Sequence, residues 1–503
     1  MNNINNTIYG SIIETNLKSP DKTAIICGNR TLSYSELLNR VNALTNQLLM
    51  AGISKGDRIG IAVSGKVDYL VTAIGGMVTG GVPVSLPYGK DIDISWALDD
   101  CDPKAVVYDS VHEKSIKVCL SKTKNFFLID VKGDLIENKE IPKIAKIDLQ
   151  DTAIIIYTSG TSSDLRTGVL ISYENLKETV NYMNRFMQIE HDIVEYVVPP
   201  INHAFGFGRC RAVFNAGGTL VFDDGIFNPA KALVALEKND SNAISSVSSG
   251  FSLLIDHYEK HVQSINQNIK WVEIGSSPLP VKYKNKLLEV FPNARIVMNY
   301  GLTEAMRSTM IELRSEITKL ATVGRPSPGI EIRITNDDGN LLPPGETGEI
   351  SVKGANVAKS FWKKEEVWNK RYNSGWLKTG DLGYLDEDGY LTLSGRADDI
   401  INVGGKKFFP IEIEEPLRTK LSKSQYCICG IPDPKGILGE VPVLCIEGNN
   451  TISIKDVQEF LRNFVEDYKI PKVIQFFEVL PKTHNGKIKR NEIKSKMLKG
   501  IVL

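Results

Sequence analysis

Between Ser33 and Gly52 the apolar residues Leu37, Leu38, Val41, Leu44, Leu48 and Leu49 recur at helical spacing behind a Ser33/Glu36 capping-box pattern. DRIGIAVS (57–64) then reads as a strand, and a helix followed by the strand GVPVSLP (81–87) completes a βαβ unit. The alternation returns with the strand AIIIYTS (153–159), a helix from about Ser172, and the strands VVPP (197–200) and LVFDD (220–224). It continues with the helix AKALVALEK (230–238), the strand ISSVSS (244–249), the helix FSLLIDHYEKH (251–261) and the strand WVEIGSS (271–277). The helix VKYKNKLLEVF (281–291) and the strand RIVMNYG (295–301) close the series. Such alternation predicts an α/β fold of mostly parallel sheets covered by helices, with ligands at loops after the carboxyl ends of strands. Past about residue 325 the period shortens. The segments 330–354 and 382–395 alternate apolar and polar residues around Asp-Gly turns, which predicts β-hairpins. From Asp398 a compact mixed segment runs to a Lys-rich helix, and no repeat or low-complexity stretch interrupts the chain.

Composition narrows the function classes. The 503 residues suggest about three domain-sized units. Sixty Lys+Arg balance sixty Asp+Glu, which argues against a dedicated nucleic-acid binder and against an acidic solvating tail. Seven scattered cysteines fit reduced thiols better than a disulfide framework. Cys427 and Cys429 share one face of a predicted strand, but no second Cys or His pair is near in sequence, so no zinc site is expected there. The N-terminus lacks a signal-peptide pattern. The most apolar stretch, 69–86, is broken by Gly75, Gly76, Gly80, Gly81 and Pro83, so no membrane association is expected and the expected location is cytoplasmic.

Four segments carry chemistry. In YTSGTSSDLRTGV (157–169) an apolar strand runs into two glycines and six Ser/Thr residues ahead of a predicted helix, a composition suited to a phosphate, though without Walker spacing. NYGLTEAMR (299–307) follows a strand at the sheet's carboxyl edge. There an aromatic ring beside a glycine can stack on a base, and a Thr next to a carboxylate can serve a phosphate and Mg²⁺. In the segment 376–415, Asp381 after Thr-Gly suits two ribose hydroxyls, Arg396 can reach phosphates, and residues 395–405 have the make-up of a hinge. In LPKTHNGKIKR (480–490), Lys487 sits on a Gly-containing loop.

In this order, the four segments resemble the signature motifs of the adenylate-forming enzymes: acyl-CoA synthetases, adenylation domains of nonribosomal peptide synthetases, and beetle luciferases. LSYSELLNRVNALTNQL (32–48), VGRPSPGIEI (323–332) and GETGEISVKG (345–354) extend the resemblance over nearly the whole chain. It implies a large N-terminal domain (1–397) of parallel-sheet αβα subdomains plus a distorted β-barrel. A small mobile α+β C-terminal domain (398–503) would turn about Asp398. It implies that Thr158, Ser159, Gly160 and Thr161 hold the β- and γ-phosphates of ATP. Tyr300, flanked by Asn299 and Gly301, would pack on adenine, with Gly275, Ser276 and Ser277 on its other side. Thr303 would meet the α-phosphate, Glu304 would coordinate Mg²⁺, Asp381 would bind ribose and Arg396 would approach ribose or phosphate. Lys487 would bridge the substrate carboxylate and the α-phosphate, and Gly405 would line a pantetheine tunnel.

The implied reaction activates a small carboxylic acid as acyl-AMP, then loads it onto coenzyme A or the phosphopantetheine of an acyl or peptidyl carrier protein. The stretch VPPINHAFGFG (197–207) resembles that of acyl- and aryl-CoA synthetases, and between Pro199 and Gly208 there is no Asp of the kind that amino-acid-activating domains place there. A non-amino acid is therefore favoured, with His203 lining the acyl pocket or gating the thiol tunnel. Arg307 could face the acyl site. The phosphate loop departs from the family: SSDLRTG (162–168) has neither Pro nor Lys and is one residue longer, with Arg166 as a replacement cation. Lys407 and Ser360 also stand where relatives carry Arg and Gly. Alternatives are a stand-alone adenylation enzyme serving a carrier protein, and a catalytically silent homologue that only binds.

Overall fold

Aliphatic runs form the buried strands of this chain, and amphipathic runs form the helices laid over them. In the helix Tyr34–Met50, Leu37, Val41, Leu44 and Leu48 form the buried stripe. The Ser33 hydroxyl accepts from the Glu36 amide at 3.2 Å, and the Glu36 carboxylate accepts from the Ser33 amide at 2.7 Å, so the capping box forms as expected. The computed structural model describes residues 7–86, 94–120, 126–131, 141–158, 167–223, 228–421, 424–448, 452–482 and 488–500.

These residues pack as two compact units. The first comprises residues up to Thr158, Thr167–Ile332 and Val352–Leu377; the second comprises Arg333–Ser351 and the chain from Lys378 on. The first unit holds a nine-stranded and a seven-stranded sheet. In the larger one, Arg295–Tyr300, Trp271–Gly275, Ala243–Val247, Val194–Val197, Thr219–Phe222 and Thr23–Cys27 run parallel in that spatial order, with antiparallel strands at both edges. In the smaller one, Thr152–Thr158, Val82–Ser85, Arg58–Ala62, Ala105–Tyr108 and Phe127–Asp130 are parallel.

One local expectation is corrected, and one strand appears that the pattern does not predict. Ahead of Ser172 stands that strand, Thr167–Ser172, antiparallel to Thr152–Thr158 and paired with it up to Thr158↔Thr167. The helix expected from about Ser172 forms as Tyr173–Met187, capped by Ser172. The strand expected at VVPP ends at Val197, because prolines 199 and 200 have no N–H to give a ladder.

The second unit carries most of the barrel portion, in which strands Glu331–Thr335, Gly348–Lys353, Trp376–Leu385 and Tyr372–Asn373 lie in that order and Leu391–Arg396 pairs with Trp376–Leu385. It ends in a three-stranded sheet, Tyr426–Pro432, Glu440–Glu447 and Val473–Phe477, packed with helices Ile411–Lys420, Ile454–Leu461 and Arg490–Leu498. Antiparallel pairing sets Cys445 opposite Cys427. A third thiol that proximity along the chain does not reveal, sixteen positions beyond Cys429, thereby becomes a neighbour across the strand pair. The fold is α/β with parallel-sheet subdomains and a small α+β C-terminal part. Among the described residues, no helix is long and apolar enough to cross a membrane.

Candidate active site

Adjacent parallel strands bring the segments around Gly275 and Tyr300 to the carboxyl edge of the larger sheet. Gly275 closes the strand Trp271–Gly275. Exposed Ser276 follows at φ +73°, a left-handed conformation uncommon for a residue with a side chain, and the Ser277 carbonyl accepts from the Ser248 hydroxyl at 2.5 Å. On the neighbouring strand, Asn299 and Tyr300 are buried at the carboxyl end. Asn299 Nδ2 donates to Glu273 Oε1 at 2.7 Å and to the Ile274 carbonyl at 3.2 Å, tying the two strand ends together.

The chain then folds tightly back on itself. A side chain at Gly301 would stand 2.4 Å from the Arg307 amide nitrogen and 2.7 Å from the Ala305 carbonyl oxygen, both backbone atoms that cannot swing aside. Thr303 and Glu304 ride this turn, half-buried. The Glu304 carboxylate lies 3.3 Å from Arg371 Nη1, and its carbonyl accepts from the Ala358 amide at 2.8 Å. Thr158 ends the strand Thr152–Thr158, and its hydroxyl donates to the Thr167 carbonyl at 3.3 Å. Ser159, Gly160, Thr161 and Lys487 lie outside the described residues, as does Arg166.

Beneath this edge runs a buried charge network that sequence reasoning missed. Arg209 forms two hydrogen bonds with Glu195 and reaches Glu273 Oε2 at 2.9 Å; Arg307 Nε donates to Glu273 Oε1 at 3.0 Å. Burial works against the Arg209 charge, but the two carboxylates outweigh it and raise its pKa. Arg211 is also enclosed. It donates to the Leu176 carbonyl and lies over the Phe207 ring, with no carboxylate among those contacts. Burial first, then the nearby Arg307, pushes its pKa down to about 9. Arg307 itself has φ +49° and lies over the Phe205 ring. The signal for the network was present in the sequence: Glu195 and Glu273 sit inside apolar strands, where an ionised carboxylate demands a partner. Arg371 left no comparable signal.

His203 occupies the N-cap position of the helix Ala204–Ala216, half-buried, with extended backbone and no side-chain cap bond. Gly206 on that helix allows close approach, since a Cβ there would lie 2.3 Å from the Pro200 carbonyl oxygen.

In the second unit, Asp381 and Arg396 face each other across paired strands with 3.4 Å between their charged groups, while the Asp381 amide donates to the Thr379 hydroxyl at 3.1 Å. Arg396 Nε is buried without a hydrogen-bond partner. Gly404 and Gly405 form the two-residue turn between Ile401–Val403 and Lys406–Phe408, at φ +59° and +83°. Nothing lies within 4 Å of a Cβ at Gly405, so within its own unit the backbone alone favours glycine. Asp398 lies in the short turn Ala397–Asp399, where Asp399 faces Arg490 at 3.5 Å; Arg490 in turn grips both oxygens of Glu414, at 2.6 and 2.8 Å.

Comparison with known proteins assigns the chain. The family model described as AMP-binding enzyme matches residues 13–362, and the AMP-binding enzyme C-terminal domain matches residues 412–487. A feruloyl-CoA synthase of an Amycolatopsis species is 28% identical over 482 residues, covering 95% of this chain and 96% of that protein. A 2-succinylbenzoate–CoA ligase of Bacillus pumilus is 28% identical over 488 residues, covering 95% of this chain and 96% of that protein. The crystal structure of ATP-bound MatB from Rhodopseudomonas palustris superposes with a TM-score of 0.88 at 25% identity, covering 99% of each chain. The chain belongs to the AMP-binding enzyme family, within the adenylate-forming superfamily.

Proposed function

We propose that this AMP-forming acid–thiol ligase activates a small carboxylic acid as its acyl-adenylate and passes the acyl group to the thiol of coenzyme A. The observation that carries the reading is the convergence of Gly275–Ser277 and Asn299–Glu304 at one sheet edge, in a chain that the family models match in both its large and its C-terminal parts. A substrate carboxylate oxygen attacks the α-phosphorus of ATP and pyrophosphate leaves. The thiolate sulfur of coenzyme A then attacks the acyl carbon and AMP leaves, the thiol proton passing to solvent. Both partners in the first step are anions, so preorganised cations and donors carry the catalysis.

Tyr300, with Asn299 and Gly301, takes one face of adenine, and Gly275, Ser276 and Ser277 take the other. Thr158, Ser159, Gly160 and Thr161 cradle the β- and γ-phosphates, Thr303 meets the α-phosphate, and Asp381 with Arg396 receives the ribose side. Glu304 is a hard oxygen donor already facing a cation, Arg371, which fits a Mg²⁺ site completed by nucleotide phosphates. Glu304 would hold that ion, which when bound offsets phosphate charge. His203 lines the acyl pocket, and Gly405 lines the route for pantetheine. We place the hinge at Asp398, between domains 1–397 and 398–503, and the reaction in the cytoplasm, consistent with six free cysteines among the described residues.

Lys487 bridges the attacking carboxylate and the α-phosphate. Lys487→Ala is expected to lower acid-dependent pyrophosphate–ATP exchange by about 10²–10³-fold or more and to leave thiolation of supplied acyl-AMP within a few-fold of wild type. Equal loss of both steps overturns the hinge assignment. No exchange with any acid of a broad panel, together with no ATP-dependent rise in melting temperature, would leave a silent binding protein. Faster acyl transfer to a phosphopantetheinylated carrier protein than to coenzyme A would reassign the acceptor.

A further inference from the structure

The C-terminal sheet assembles a sulfur cluster that the ligase reaction does not use. Cys427 and Cys429 point to the same face of the strand Tyr426–Pro432, and Cys445 joins them from the paired strand. All three are fully buried, and their sulfurs lie within 4.8 Å of one another, with 3.9 Å between those of Cys427 and Cys429. A fourth sulfur, Met497 Sδ, lies 3.8 Å from Cys445 Sγ. Val443, Phe477, Leu480 and Ile493 pack around the cluster, with Arg490 and Lys494 near enough for their charges to act on the thiols. A lone buried cysteine packs as a small hydrophobe. Here three converge on one point at the spacing a metal requires, since metal–sulfur bonds of about 2.3 Å in a trigonal array set the sulfurs about 4 Å apart.

We propose that Cys427, Cys429 and Cys445 form a binding site for a soft closed-shell cation of the copper(I) class, with the Met497 thioether as a weak fourth ligand. Thiolate and thioether donors suit copper(I). Among the described residues the cluster includes no imidazole or carboxylate that would favour a harder ion. Binding exchanges the thiol protons for the cation, the protons leave to solvent, and copper stays monovalent, so no oxidant or reductant takes part. Met497 is half-buried on the helix Arg490–Leu498, beside exposed Leu498.

The test titrates the full, reduced, metal-free chain with copper(I) under anaerobic conditions in competition with a copper(I) chelator. The expected result is one retained equivalent with sulfur-only coordination by X-ray absorption. The combined variant Cys427→Val, Cys429→Val, Cys445→Val should lose it while keeping pyrophosphate exchange, and Met497→Leu should bind about tenfold more weakly. Copper retained equally by the triple variant, or none retained by wild type, overturns the proposal. Should the triple variant fail to fold, nitrogen or oxygen ligands in the wild-type spectrum overturn it, and sulfur-only ligation weakened by Met497→Leu sustains it.

Discussion

Lys284 donates its ammonium to the carbonyls of Leu320 and Thr322, at 2.6 and 2.9 Å, and burial pushes its pKa down to about 8 from an ordinary 10.5. Between those two values the unfolded chain holds the proton more tightly than the folded one, so folding stability rises with pH through that window. The penalty for burying the charge is fully present below pH 8 and relieved by about pH 10.5, an effect of about 3 kcal/mol. Urea unfolding of wild type and Lys284→Met at pH 7.5 and 10 should therefore show wild type gaining relative to the variant; parallel curves would mean that the ammonium stays charged in the fold. Arg209 presents the opposite case, a buried cation held by two buried anions. Arg209→Met strands Glu195 and Glu273 without their shared partner and should cost about 3–5 kcal/mol in the same measurement. Removing Arg209 together with Glu195, with well-packed apolar replacements, should cost less than that, because their desolvation penalty goes with them while Glu273 keeps Arg307 as its partner.

The helix Ala204–Ala216 can lie against the Pro199–Pro200 turn because Gly206 has no side chain; a Cβ there would meet two backbone carbonyl oxygens, at 2.3 and 2.6 Å. Gly206→Ala should destabilise by about 1–3 kcal/mol and, by displacing His203 three residues away, raise KM for the acid more than KM for ATP in steady-state assays. The long elements were legible in the sequence for physical reasons. Tyr34–Met50 has a helical stripe and a reciprocal cap, and the strands around 82–85, 152–158, 271–275 and 295–300 are short apolar runs bounded by turn residues. The strand Thr167–Ser172 escaped because its pairing partner, not its own pattern, makes it a strand, and the prolines at 199 and 200 cut off ladder bonds that apolar character alone had suggested. At the candidate site, the residues on strand ends were placed by the same alternation. Arg371, Arg209 and Cys445 came into view only through tertiary pairing: Arg371 contacts a residue 67 positions away, and Cys445 sits across a strand pair.

On the scale of the whole molecule, net neutrality divides unevenly: residues 399–503 carry 17 Lys+Arg against 13 Asp+Glu, and 482–503 carry seven basic residues and one acidic. The same C-terminal segment holds two hydrophobic clusters drawn entirely from residues 401–497, among them Ile401, Phe408, Leu417, Leu444 and Leu461 in one and Val443, Leu480 and Ile493 in the other. A segment that brings its own core and is about a hundred residues long meets the size at which domains fold alone. Residues 398–503 expressed separately should therefore melt cooperatively by circular dichroism; a broad, featureless transition would move the proposed boundary away from Asp398. The antiparallel ladder from Thr152↔Ser172 to Thr158↔Thr167 clamps both ends of the segment 159–166 proposed to serve the phosphates, and it bears on how this sequence could drift from its relatives. Because Thr158 and Thr167 are held by paired backbone, the closure entropy of an added residue between them is small: even doubling a connection's length costs only about 0.6 kcal/mol. The hairpin thus works as a cassette: the usual Pro- and Lys-containing loop should be transplantable between Thr158 and Thr167 with the flanking register intact.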